Sequence, residues 1–181
     1  MPNPLTFTLS RIPSPIGIIL IATDTEGRLR ALDWEDHAAR LHRLLDRLYG
    51  AGKLNLVESK TIGATARAIS AKLNAFFAGD LTAIADIPIE SAGTPFQRAV
   101  WKALRKIPAG ETWSYTKLAQ RVGRPEAVRA VGTANGSNPI SIIVPCHRVI
   151  GADGSLTGYS GGLERKRWLL THEGARLRSA A

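Results

Sequence analysis

Cys146 is the only cysteine among 181 residues, so this chain has no covalent staple available to it. It can close no internal disulfide, and no cysteine cluster offers a structural zinc site. Its fold must be held by non-covalent contacts. The length suits one compact domain or two small ones, each with a core large enough for independent folding. The hydrophobic content of 44% is that of an ordinary globular protein. No apolar stretch approaches the roughly 20 residues that span a bilayer. Met1-Pro2-Asn3-Pro4 has neither the basic start nor the apolar segment of a signal peptide. A reducing, cytoplasmic location is expected, with no membrane association, because an exposed reactive thiol is short-lived elsewhere.

The net charge of +9 is unevenly spread. Residues 1–93 carry ten Lys/Arg and ten Asp/Glu, whereas residues 94–181 carry fourteen and five. A basic half beside a neutral half suggests a polyanionic partner such as nucleic acid. A solvated basic surface that only aids solubility accounts for the same charge.

Periodicity predicts an α+β fold in two domains. The first, residues 1–93, is strand-rich: a small sheet with flanking helices and no metal site. Thr6–Ser10, Ile16–Ala22 and Leu29–Trp34 read as strands, the last two joined by a turn at Asp24-Thr25-Glu26-Gly27. Ala38–Tyr49 reads as a helix with Leu41, Leu44, Leu45 and Leu48 on one face. Thr65–Ala78 reads as another, with Ile69, Leu73, Phe76 and Phe77 inward. Ile84–Ala92 reads as a connector. The second domain, residues 94–181, is mostly helical. Thr94-Pro95 opens a helix as N-cap and first-turn proline. Ser114 caps a short helix over Tyr115–Val122, and Pro125 opens another to about Asn135. Joined by a tight turn at Gly123, these two make a helix-turn-helix pattern. The apolar run Ile140–Val144 reads as a buried strand leading to Cys146. Gly151–Gly162 is a loop, Leu163–His172 a final helix, and Arg176–Ala181 a frayed tail.

A lone thiol beside a titratable base is a candidate nucleophile. Taken alone, a buried cysteine is as often an inert small hydrophobe, but Pro145 and the polar Cys146-His147-Arg148 place this one where a buried segment opens out. Neighbours on a strand point to opposite faces, so His147 reaches Cys146 only through a one-turn helix or a bridging water. Glu173 could orient an imidazole as the third member of a triad, or be a surface carboxylate. The recognition helix carries Arg129 among Ala127, Ala130, Gly132, Thr133, Ala134 and Gly136. Such a face suits close approach to a minor groove, with one arginine probing the base stack. It also suits close packing against a neighbouring helix. In Thr157-Gly158-Tyr159-Ser160-Gly161-Gly162, loop amides before a helix could bind an oxygen atom. Tyr159 could stack on a base or fill a core.

Pro145-Cys146-His147-Arg148-Val149-Ile150, Arg129-Ala130-Val131-Gly132, Asn138-Pro139, Tyr159-Ser160-Gly161-Gly162 and Trp168-Leu169-Leu170 before Glu173-Gly174 occur in an order and spacing that closely resembles the O6-alkylguanine-DNA alkyltransferases. The resemblance covers Thr94–Gly174 and is looser before it. It implies direct DNA repair, in which an alkyl group on guanine O6, and on thymine O4, passes irreversibly to Cys146 after the base is flipped out. His147, acting through water and held by Glu173, would draw off the thiol proton. Asn138 would brace the turn between recognition helix and active-site strand. Tyr115 would sit near the flipped guanine and its 3′ phosphate and could protonate the leaving base. Arg129 would fill the gap in the duplex, with Ala130 and Gly132 on the same DNA-facing helix. Tyr159 would pack on the guanine and the Ser160 backbone would hydrogen-bond its O6. The carbonyls of Cys146 and Val149 would read the exocyclic amine. Asn135 and Ser141 stand where some members carry an apolar residue and a proline, which bears on the adducts accepted. The implied partner is double-stranded DNA, bound by a monomer in the minor groove, with cooperative binding along the duplex left open. No cofactor and no metal are expected. A lesion-binding protein of the same fold that transfers nothing is the alternative, and Cys146 argues against it. A cysteine hydrolase is a third reading, although such enzymes bring their histidine from elsewhere in the chain.

Overall fold

A computed structural model describes residues 4–177, so the tail beyond residue 177 lies outside the described residues. The chain divides into two compact units, Met1–Ala92 and Gly93–Ala181.

In the first unit, β1 (Leu5–Ile12), β2 (Ile19–Thr23) and β3 (Leu29–Trp34) form an antiparallel meander. Asp24 builds the predicted turn between the last two, its Oδ1 accepting from the amides of Glu26 and Arg28 at 2.9 Å each. β2 begins at Ile19 rather than Ile16, because Gly17 N–H turns back to the Ser14 carbonyl. Every residue of β2 and β3 is buried, as strands covered on both faces require, including the charged Arg30 and Asp33 of β3. On one face Phe7, Leu9, Leu20, Ala22 and Ala31 pack against Leu41 and Leu45 of α1 (Ala38–Tyr49). α2 (Ala64–Phe77) also contacts β2 and buries Ile69, Leu73 and Phe76, with Phe77 only half-buried.

A strand absent from the sequence reading, β4 (Leu54–Glu58), pairs parallel to β1 and completes the order β3-β2-β1-β4. Its inward residues are only Leu54 and Leu56, too few for alternation to stand out. The connector Ile84–Ala92 is tied to the opposite edge. Ile89 bridges Leu29, Leu29 N–H donates to the Pro88 carbonyl at 2.8 Å, and Glu90 N–H to the Leu29 carbonyl at 3.1 Å.

The second unit is helical around a two-stranded parallel ribbon. α3 (Pro95–Leu104) starts with a full capping box between Thr94 and Gln97. Its Trp101 indole donates to the Ala134 carbonyl at 2.9 Å. β5 (Trp113–Ser114) pairs with β6 (Val149–Ile150), and Ser114 Oγ caps α4 (Tyr115–Arg121). Gly123 ends α4 at φ +76°, with Arg124 N–H on the Ala119 carbonyl and Gly123 N–H on that of Gln120. This is a Schellman motif, whose left-handed position favours glycine.

α5 (Val128–Gly136) packs on α3 and α4, completing the helix-turn-helix. It starts three residues later than Pro125, because Ala127 N–H is taken up by a turn to the Arg124 carbonyl. α6 (Leu163–His172) closes with a second Schellman motif at Gly174, so Glu173 is fixed as its C-cap.

Ile140–Val144 is buried as expected but is no strand. Ile143 N–H donates to the Ser141 carbonyl at 2.8 Å around Ile142, which holds φ +69°. Cys146 N–H donates to the Val144 carbonyl at 2.8 Å around Pro145 at φ −81°, ψ 64°. The second is an inverse γ-turn that proline's fixed φ favours, and the first has the rarer, strained form. A β-branched residue at positive φ costs about 1–3 kcal/mol. Ile142 is the only non-glycine there among the described residues. The segment bonds its backbone groups within itself and through Asn138, and delivers Cys146 into a one-turn 3₁₀ helix, Cys146–Arg148.

Candidate active site

Asn138 holds the turn together from the end of α5. Its Oδ1 accepts from Ile140 N–H at 3.0 Å, and its Nδ2 donates to the Val144 carbonyl at 2.7 Å and to Cys146 Sγ at 3.1 Å. One amide thus closes the bend and touches the thiol. Asn138 sits on the turn it is expected to brace, although the segment that follows is a bend and not a strand. Cys146 is 2% exposed and lies against a cavity of about 260 Å³. Tyr115, Gly132, Asn135, Gly136, Gly158, Tyr159 and Ser160 line the rest of it. That volume lies just below the roughly 300–1,000 Å³ of pockets for drug-sized ligands, and suits one small ring system.

The one-turn helix carries His147 and Arg148 inward to Glu173 at the end of α6. His147 Nε2 lies 2.9 Å from Glu173 Oε1. Arg148 donates through Nε to Oε2 at 2.9 Å and through Nη2 to Oε1 at 2.7 Å, a two-pronged grip, while its Nη1 reaches the Ile107 carbonyl at 2.5 Å. Glu173 is 5% exposed, so it is no surface carboxylate. Burial pushes its pKa up, but hydrogen bonds from His147 and Arg148 outweigh that and hold it down at about 2. Burial is also the main influence on His147 and lowers its pKa, against the opposing pull of Glu173. The imidazole is therefore neutral at pH 7. With Nε2–H given to Glu173, its free lone pair is on Nδ1, which is buried without a hydrogen-bonding partner.

Tyr115, first residue of α4, donates to the Thr157 carbonyl at 3.4 Å. Burial raises its phenol, which keeps its proton at neutral pH. The Tyr159 ring stands edge-on to His147, with centroids 6.4 Å apart. Gly132 faces the Tyr115 ring across α5, where an added Cβ would lie 3.7 Å from it. Arg129 and Ala130 are exposed and do not line the cavity; Val149 is fully buried in β6. Asn135 Oδ1 and Ser141 Oγ are buried without hydrogen-bonding partners. Among the described residues no group of three His, Cys, Asp or Glu side chains could hold a metal, and no helix is long and apolar enough to cross a membrane.

Two residues at the site have no role in the sequence reading. Arg148 sits inside the quoted motif but is assigned nothing. Lys166 is fully buried, its Nζ on the carbonyls of Val149 at 2.5 Å, Thr157 at 2.8 Å and Gly158 at 3.4 Å. The available signal is helical spacing, which puts Lys166 on the face of Leu169, Leu170 and Glu173.

Residues 95–175 match the model of the 6-O-methylguanine DNA methyltransferase DNA-binding domain. The chain is 49% identical over 164 residues to the methylated-DNA–protein-cysteine methyltransferase of Shigella flexneri, covering 91% of this chain and 94% of the relative. It is similar to the crystal structure of Mycobacterium tuberculosis O6-methylguanine methyltransferase, with TM-score 0.75, 41% identity and coverage of 97% and 96% of the two chains. The crystal structure of Mycobacterium tuberculosis OGT in complex with DNA is similar too, with TM-score 0.74, 41% identity and coverage of 94% and 93%.

Proposed function

The chain belongs to the methylated-DNA–protein-cysteine methyltransferase family, and on that premise we propose that it repairs alkylated guanine in DNA by moving the alkyl group from O6 onto its own Cys146. The observation that carries the reading is a thiol at a base-sized cavity, held by Asn138 beside a neutral His147 whose Nε2 is committed to Glu173.

In the proposed reaction the thiol proton passes through one bridging water to His147 Nδ1. The thiolate attacks the alkyl carbon in line with its bond to O6. The S–C bond forms, the C–O bond breaks, and its electron pair goes to the purine, which takes a proton from the Tyr115 hydroxyl; solvent returns a proton to Tyr115 and receives the one held by His147. Tyr115 can do this because its hydroxyl is still protonated at neutral pH. Proton lost and proton gained balance. The product is a thioether, and no group in the site is placed to cleave it, so each molecule reacts once.

Because O6 is buried in a duplex, the base must leave the stack, at a cost of a few kcal/mol that a damaged, poorly paired base reduces. Arg129 on the exposed face of α5 is suited to fill the gap. Ala130, Thr133 and Gly136 beside it let the helix approach a minor groove closely. Tyr159 would pack on the base, with the Ser160 backbone and the Val149 carbonyl reading its edges. O4 of thymine presents the same alkyl–oxygen bond. The protein would act as a monomer in the cytoplasm, where DNA and a reduced thiol coexist.

Incubation with a duplex containing O6-methylguanine should raise the protein's mass by one CH₂, located to Cys146 by peptide mass spectrometry. Cys146→Ser should show no gain. Folded, DNA-binding wild-type protein that never acquires the mark would refute the reading.

A further inference from the structure

The described residues hold five buried charged side chains: Arg30, Asp33, Arg148, Lys166 and Glu173. Arg30 pairs with Asp24, Asp33 with Arg40, and Arg148 with Glu173. Lys166 has no carboxylate. Its three protons go to three carbonyls instead, those of Val149, Thr157 and Gly158. A buried cation without an anion is costly, and nothing about helix formation demands it in α6. Its surroundings indicate its use. Val149 follows directly on the one-turn helix of Cys146, and Thr157 and Gly158 lead into Tyr159 and Ser160 on the cavity wall. The Thr157 carbonyl also accepts from Tyr115, so one ammonium joins three segments around the thiol.

The charges around Cys146 point the same way. Arg148 and Glu173 neutralise each other, His147 is neutral and Tyr115 is protonated. With Cys146 as a thiol, the buried cluster carries one net positive charge, on Lys166; with Cys146 as a thiolate it carries none. We propose that Lys166 is a positioning residue for alkyl transfer, whose ammonium ties the pocket loop to β6 and acts as counter-charge to the Cys146 thiolate. Burial lowers the Lys166 ammonium to about 8, against an opposing pull from Cys146. That pull has the direction expected of an anionic sulfur near a cation.

The inference rests on the alkyl-transfer reading, and its test separates the two. Lys166→Met keeps length and removes charge. Thiol titration is followed by the pH dependence of iodoacetamide alkylation, and transfer by methyl uptake from duplex DNA. The variant should bind undamaged duplex within about twofold of wild type. Its thiol midpoint should rise by about one unit or more, and transfer at pH 7 should fall at least about tenfold, the equivalent of one unit. Slower transfer with an unmoved thiol midpoint overturns the counter-charge, and an unchanged transfer rate overturns the positioning role. Wild type that takes up no methyl group sinks the underlying reading instead. Should Lys166→Met not fold, the Nζ titration of Lys166, read by ¹⁵N NMR in wild type and Cys146→Ser, decides. Removing the thiol should lower the ammonium midpoint, and an identical midpoint in both proteins refutes the coupling.

Discussion

Glu173 takes the guanidinium of Arg148 on both oxygens and the imidazole of His147 on one. Its folded-state pKa of about 2 lies below the ordinary 4.5. A depressed carboxylate contributes stability that is fully present above its unfolded value and is lost as pH falls toward the folded one. The window is therefore about pH 4.5 down to 2, and the contribution is on the order of 3 kcal/mol. Glu173→Gln should remove this part of the acid dependence. It also leaves Arg148 buried without its anion, costing about 3–5 kcal/mol at pH 7. Urea unfolding across the acid range reads both effects, and a variant that keeps the wild-type acid slope would contradict the assignment. At this scale the sequence was informative where residues form motifs. Cys146, His147, Asn138 and Glu173 were all nameable, yet that Glu173 is buried and shared with Arg148 depends on two segments 25 residues apart meeting. Lys166 is masked for a simpler reason: despite its helical spacing, a lysine amid Arg165 and Arg167 looks like one more solvated charge.

Helix ends were the most legible elements, because capping chemistry is local. Thr94, Ser114, Gly123 and Gly174 all act where their residue types suggest. Gly123 gives this a number. It sits at φ +76° with nothing within 4 Å of an added Cβ, so Gly123→Ala tests backbone strain alone. The expected loss is about 1–2 kcal/mol, read by urea unfolding, with the residues of α5 chemically untouched. A loss below about 0.3 kcal/mol would mean that the turn relaxes out of its left-handed form. Elements whose shape is set by distant partners read poorly. Ile140–Val144 has the composition of a buried strand, and burial was the correct half of that expectation. Short apolar runs do not encode their backbone path. Here Asn138 and Pro145 bend it into successive γ-turns. β4 is similar: its identity comes from β1 beside it, not from its own five residues.

For the whole molecule, charge is the property that sequence alone conveys most directly, since it needs no coordinates. With the entire excess in residues 94–181, affinity for undamaged duplex should fall steeply with salt. On a log–log plot each neutralised phosphate contributes about −0.9 to the slope. A slope shallower than about −2 would mean that fewer than three phosphates are engaged, too few for the polyanion reading. The division of labour also explains why the first unit offers little chemistry to read: its charges balance and its apolar residues go into a sheet covered by helices. On the proposed single-use chemistry, a cell holds this protein as a stock of unspent molecules that must wait without clumping. Exposed strand edges invite other chains to add on. In the first unit the Pro88–Glu90 backbone already occupies part of one edge, at Leu29. The other, β4, ends in a solvated Glu58 held by Arg11, a charge that a docking strand would have to bury. Shelf life, for such a molecule, is as much a condition of service as reactivity.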